Sequence, residues 1–131
     1  MAREQAFLLI FETGFKEDDL GSIIQDATEA RDFEPDSYIE LLCGGVLAQR
    51  EKLDEEIEKH LSGWKLSRIS KTALAVLRLA CFEILFLEET PDSVAANEAV
   101  NLAKRYCGEE DAAFINGVLG SIIGKKASSN E

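Results

Sequence analysis

A chain of 131 residues suits one domain, long enough to bury about two-thirds of the surface its unfolded form exposes. With 46% hydrophobic and 30% charged residues its composition is globular, and its net charge of −11 argues against a general nucleic-acid binder, because phosphate neutralisation dominates such affinity. The charge is uneven: residues 1–65 carry 16 acidic against 7 basic side chains and residues 66–131 carry 9 against 7, so an anionic partner is expected at the second half, joined by the first few residues.

The first helix is predicted over about Ala2 to Thr13, with Gly14 as its stop. Ala6, Leu9, Ile10 and Thr13 form one stripe, and Phe7 and Phe11 form a second beside it. Two adjacent apolar faces mean either burial on both sides or a meeting with a partner. The run Ala6–Phe11 is too short, and too acidic at its flanks, for a signal peptide.

Asp18 and Asp19 precede a second amphipathic helix bearing Leu20, Ile23, Ile24 and Ala27, and the polar segment Arg31–Glu34 reads as a linker. Pro35 then opens a long helix to about Leu61, with a stripe of Tyr38, Leu42, Val46, Leu53 and Ile57. Gly44 and Gly45 fall in its middle, where each costs about 1 kcal/mol relative to Ala. A close helix contact or a bend is expected there. Gly63 and Trp64 end this half, Trp64 reading as core packing at a junction, and Lys65, Arg68 and Lys71 give the connection its dense basic spacing.

The stretch Ile69–Leu87 is apolar almost all the way round at helical length, interrupted by Arg78 and Glu83. Such a helix is the buried centre of a bundle. Its apolar runs fall well short of the roughly 18 residues of a membrane span. Glu83 inside it needs a cation or hydrogen bonds, or it takes a proton. Either it pairs internally or it faces a partner's cation.

Thr90 is placed to cap the next helix, with Pro91 and Asp92 in its first turn. Ala95, Ala99, Leu102, Ala103 and Tyr106 make its apolar stripe, opposite Asn97, Glu98, Asn101, Lys104 and Arg105. Gly108 ends it, and Glu109, Glu110 and Asp111 open a last helix whose stripe is Ile115, Val118, Leu119, Ile122 and Ile123. At about 100° per residue, Phe114 lies about 110° from that stripe's centre, at its margin. Residues 125–131 have no apolar content beyond an alanine and read as a frayed tail.

No alternating run suggests a strand, so the predicted fold is all-α. Two small helical subdomains of about three helices each, near residues 1–63 and 64–124, are expected to pack as one unit. Cys43, Cys81 and Cys107 are odd in number and widely spaced, which suggests buried reduced thiols in a cytoplasmic protein. His60 is the only histidine, so no His-based triad or multi-histidine metal site is available. No cofactor, metal or membrane association is expected, and no enzyme.

Three linked blocks carry a resemblance. R-x-x-K-x-x-L-A-V-L-R-L-A-x-F-E-I-L from Arg68, T-P-D-S-V-A-A-N-E-A-V-N-L-A-K from Thr90 and F-I-N-G-V-L from Phe114 together resemble the NusB-type transcription antitermination factors, over roughly Trp64 to Ile123. The resemblance implies a NusB-like fold and a partnership with a small-subunit ribosomal protein. That pair would grip a short single-stranded leader RNA of ribosomal RNA operons and join the RNA polymerase antitermination complex.

Carried over by position, Phe11, Arg78 and Glu83 would meet the protein partner, and Arg3, Phe114 and Asn116 would lie near RNA. Lys104 and Arg105 add plausible phosphate contacts. A marginal aromatic stacks on an unpaired base, and an Asn reads a base edge. The other readings stay open: Phe114 as ordinary packing, Asn97 and Asn116 as helix or loop hydrogen-bonders.

Two departures matter. Family members begin with clustered arginines and carry a basic residue before the F-x-N-G motif; here Arg3 stands alone and Ala113 takes the other place. Each missing phosphate contact flattens the salt slope by about 0.7 log units on single strands. The expected RNA binding is therefore weaker and more partner-dependent. A protein-only adaptor or decoy that has lost RNA is the alternative. A third is the RNA-binding module of the kind fused to ribosomal RNA cytosine methyltransferases, with catalysis on a separate chain.

Overall fold

The computed structural model describes residues 2–13, 37–61, 63, 65–87 and 89–129. They form six helices: α1 (Ala2–Thr13), α2 (Ser37–Ala48), α3 (Arg50–Lys59), α4 (Lys71–Phe86), α5 (Asp92–Tyr106) and α6 (Glu109–Ser129), with a 3-10 turn at Leu66–Arg68. The fold is all-α, with no strand among the described residues. The expected helix at Leu20–Ala27, the linker Arg31–Glu34, the Pro35 start and Trp64 lie outside them.

The hydrophobic centre is α4, which touches all five other helices. It begins where the Ser70 hydroxyl accepts from the Ala73 N–H at 3.1 Å, an N-cap. Every residue from Ala73 to Ile84 is buried, as all-round apolarity requires of a central helix. On one side α1 and α2 pack on each other and on α4; on another, α5 and α6 do the same. Buried residues from all six helices form one cluster.

The long helix expected up to Leu61 bends at Gln49, where φ is −106° and ψ 12°, which divides it into α2 and α3. The hydrogen bonds Gln49 N–H to Gly45 O and Leu53 N–H to Gln49 O, each 2.9 Å, carry the ladder through the bend. The glycine pair has its reason as well. A Cβ on Gly45 would overlap the Phe82 ring, so α2 meets α4 at a distance only glycine permits. Burying Phe82 there contributes about 1.5–3 kcal/mol, which offsets the propensity cost of about 1 kcal/mol.

Two expectations about ends are corrected. Thr90 does not cap α5. Pro91 is the N-cap, with no side-chain bond, and its carbonyl accepts from Val94 and Ala95 N–H at 3.0 and 3.1 Å. Nor are residues 125–129 of the expected frayed tail frayed, because α6 continues to Ser129; Asn130 and Glu131 lie outside the described residues. Its lysines find acceptors on three helices: Lys125 Nζ lies 3.1 Å from Glu56 on α3, and Lys126 Nζ lies 2.6 Å from the Ile84 carbonyl and 2.9 Å from Asp92. Cations near a helix C-terminus also suit its dipole. Gly108, at φ +112°, turns α5 into α6 as expected. No helix among the described residues is long and apolar enough to cross a membrane.

Candidate RNA and partner interface

Glu83 sits near the end of α4 with no exposed surface, beneath the first turn of α1. Arg3 Nε donates to both its oxygens, at 2.9 and 3.2 Å. Burial pushes the Glu83 carboxyl up, against the pull of Arg3, and Glu98 adds to the rise. Of the two readings open from sequence, the internal pair is the one found. The expectation that Glu83 faces a protein partner is corrected: a sealed carboxylate presents nothing.

Arg78 is corrected for the same reason. It is only 5% exposed, and its Nε and Nη2 grip the two Asp54 oxygens at 2.8 and 2.9 Å, a bidentate clamp of α4 on α3. Phe11 alone of the three expected partner residues keeps some surface. It is half-buried against the core, its ring 6.4 Å from that of Phe7. Phe7 is buried and lies 5.0 Å from the Tyr106 ring, so the second apolar face of α1 is used within the chain at Phe7 and left part open at Phe11.

The five expected RNA residues fall in two places. Arg3, Lys104 and Arg105 line one groove of about 660 Å³ between α1, α2 and α5, together with Glu4, Tyr38 and Glu98. The groove is electrically mixed. Arg105 is bound through Nη1 to Glu4, whose other oxygen accepts from the Tyr106 hydroxyl at 2.8 Å. That bond to Glu4 raises the Tyr106 phenol above its ordinary value. Lys104 is exposed, with no ion-pair partner among the described residues.

Phe114 belongs to a second, smaller hollow of about 230 Å³, where the 3-10 turn and the start of α4 meet the N-terminus of α6. Its half-buried ring is flanked there by Arg68, Ser70, Glu110 and Asp111. Asn116 is exposed one half-turn further along α6, and Ala113 is exposed just before Phe114. Arg68 was not assigned from sequence, although the basic spacing of Lys65, Arg68 and Lys71 marked it, and all three are exposed. Nothing in the sequence pointed to Glu4.

His60 pairs with Ser121 through Nδ1 at 2.7 Å, while Nε2 is buried without a hydrogen bond, 3.7 Å from Glu56. No group of three His, Cys, Asp or Glu among the described residues is placed to hold a metal ion. The cysteines are free; burial pushes the thiols of Cys43 and Cys81 up to about 12 and that of Cys107 to about 11, which disfavours the thiolate form.

This architecture has close relatives. The NusB family model matches residues 1–124. A transcription antitermination protein NusB of Acetivibrio thermocellus is 43% identical over 98% of this chain and 90% of its own length. That of Clostridium novyi is 38% identical over 93% and 95%. Among solved structures, a crystal structure of antitermination factors NusB and NusE in complex with dsRNA superposes with a TM-score of 0.84. It is 28% identical and covers 95% of this chain and 94% of the matched one.

Proposed function

This chain belongs to the NusB family, and on that footing we propose that it is a transcription antitermination factor, a cytoplasmic binding protein and not an enzyme. It pairs with NusE, the small-subunit ribosomal protein in its antitermination role, and the pair holds a short RNA element of ribosomal RNA operons. The complex then joins RNA polymerase. The RNA element is single-stranded, read by Phe114 stacking on an unpaired base and Asn116 on a base edge, with Lys104, Arg105 and Arg3 near phosphates.

One observation carries the RNA reading: Phe114 stands half-open in a hollow beside Arg68, a base-sized recess with a cation at its rim. Two observations favour weak binding by the chain alone. Ala113 supplies no cation, and Arg3 and Arg105 are already engaged by Glu83 and Glu4. Phe11 is the residue proposed to meet the protein partner.

Immobilised chain incubated with purified small-subunit ribosomal proteins should retain NusE selectively, and the retained pair should capture single-stranded leader RNA over duplex RNA of the same sequence. Retention of NusE without any gain in RNA capture would instead select the protein-only adaptor.

A further inference from the structure

Glu4 and Arg105 are far apart in sequence, yet in the groove between α1 and α5 the chain fills one of its own cation sites. The Glu4 carboxylate takes the Arg105 guanidinium on one oxygen and the Tyr106 hydroxyl, at 2.8 Å, on the other. A phosphodiester offers the same donors the same thing, two oxygens sharing one negative charge. Resting on the RNA-binding reading above, we infer that Glu4 is an internal phosphate mimic: an RNA phosphate reaches Arg105 and Tyr106 only by displacing it, and Glu4 thereby limits how tightly the chain holds RNA.

The pair is built to open. Arg105 is 64% exposed and Glu4 28%, and ion pairs so exposed are weak and exchange readily with another anion. Arg3, in the same groove, differs: its carboxylate partner is fully buried, so that pair stays closed while Glu4 exchanges. The groove, about 660 Å³, has room for a phosphate with its sugar, and Lys104 is exposed at its wall to meet the next one. When Glu4 is displaced it regains its own counterion, so the phosphate contact at Arg105 releases little net salt. Without the Glu4 charge the full contribution, about 0.7 log units of salt slope on single strands, returns.

A mutant cycle tests this. Fluorescein-labelled single-stranded RNA copied from a ribosomal RNA operon leader is titrated, with NusE present, against the unmodified chain, Glu4→Gln, Arg105→Ala and the double variant. Gln keeps the size of Glu4 and one acceptor oxygen while removing its charge, and both sites are at the surface. Glu4→Gln should tighten RNA binding about two- to fivefold and steepen the salt slope, the opening of one surface pair, and this gain should vanish when Arg105 is Ala. An unchanged affinity for Glu4→Gln, or an equal gain with and without Arg105, overturns the inference and leaves the function reading standing. Absence of RNA binding by all four proteins overturns both.

Discussion

Arg3 Nε lies 2.9 Å from one oxygen of Glu83 and 3.2 Å from the other, tying the first turn of α1 to the end of α4. Removing Arg3 leaves a buried carboxylate uncompensated, a loss of about 3 kcal/mol on general grounds. Its pH dependence has a definite sign. Burial holds the folded Glu83 value above the ordinary one, so its contribution is fully present below the unfolded value and falls as pH rises through the folded value. Arg3→Ala raises the folded value further. Urea denaturation should therefore show a loss for Arg3→Ala that is largest at neutral pH and shrinks as acid protonates Glu83. A loss independent of pH would contradict it.

The Arg78–Asp54 clamp predicts coupling. Arg78→Ala strands a half-buried Asp54, and Asp54→Ala strands a buried guanidinium, so each single variant should lose about 3 kcal/mol. The double variant should lose less than the sum by about 1–3 kcal/mol. Additive losses would show that the two side chains do not act together.

Gly45 is a site where better helix propensity should do harm. Gly45→Ala gains about 1 kcal/mol of propensity, but its methyl overlaps the Phe82 ring and overpacking costs about 1–3 kcal/mol. The expected result is a lower thermal midpoint, restored in part by Phe82→Leu in the same chain. A raised midpoint for Gly45→Ala alone would mean that the ring moves aside freely.

At the proposed RNA surface, Phe114→Ala should weaken RNA binding by about 1–3 kcal/mol, the worth of one stacked base, while NusE binding is unchanged. Ala113 is exposed, so Ala113→Lys adds a cation without disturbing the core; it should tighten binding and steepen the salt slope by about 0.7 log units. Filter binding at several salt concentrations reads both.

What was legible in the sequence was local. The period of Ala6, Leu9 and Ile10 bounded α1, and the unbroken apolarity around Leu77 made α4 the centre. Gly44 and Gly45 announced a close contact without naming Phe82. What stayed hidden depends on side chains brought together from distant parts of the chain. The burial of Glu83 and Arg78 required knowing that Arg3 and Asp54 lie across from them, and the helical tail required acceptors on α3, α4 and α5 for Lys125 and Lys126. In the candidate site, Phe114 at a stripe margin was readable from helical geometry. The split between its hollow and the Arg3 groove was not, since sequence gives no relation between α1 and α5.

On the proposed function, RNA binding by this chain is completed by its protein partner. Fluorescence anisotropy of single-stranded leader RNA, titrated with the chain alone and with the chain plus NusE, measures it directly. Weak binding alone and a gain of at least about tenfold, roughly 1.4 kcal/mol, when NusE is present are the expected result. Tight, salt-sensitive binding by the chain alone, or no gain from NusE, would contradict it.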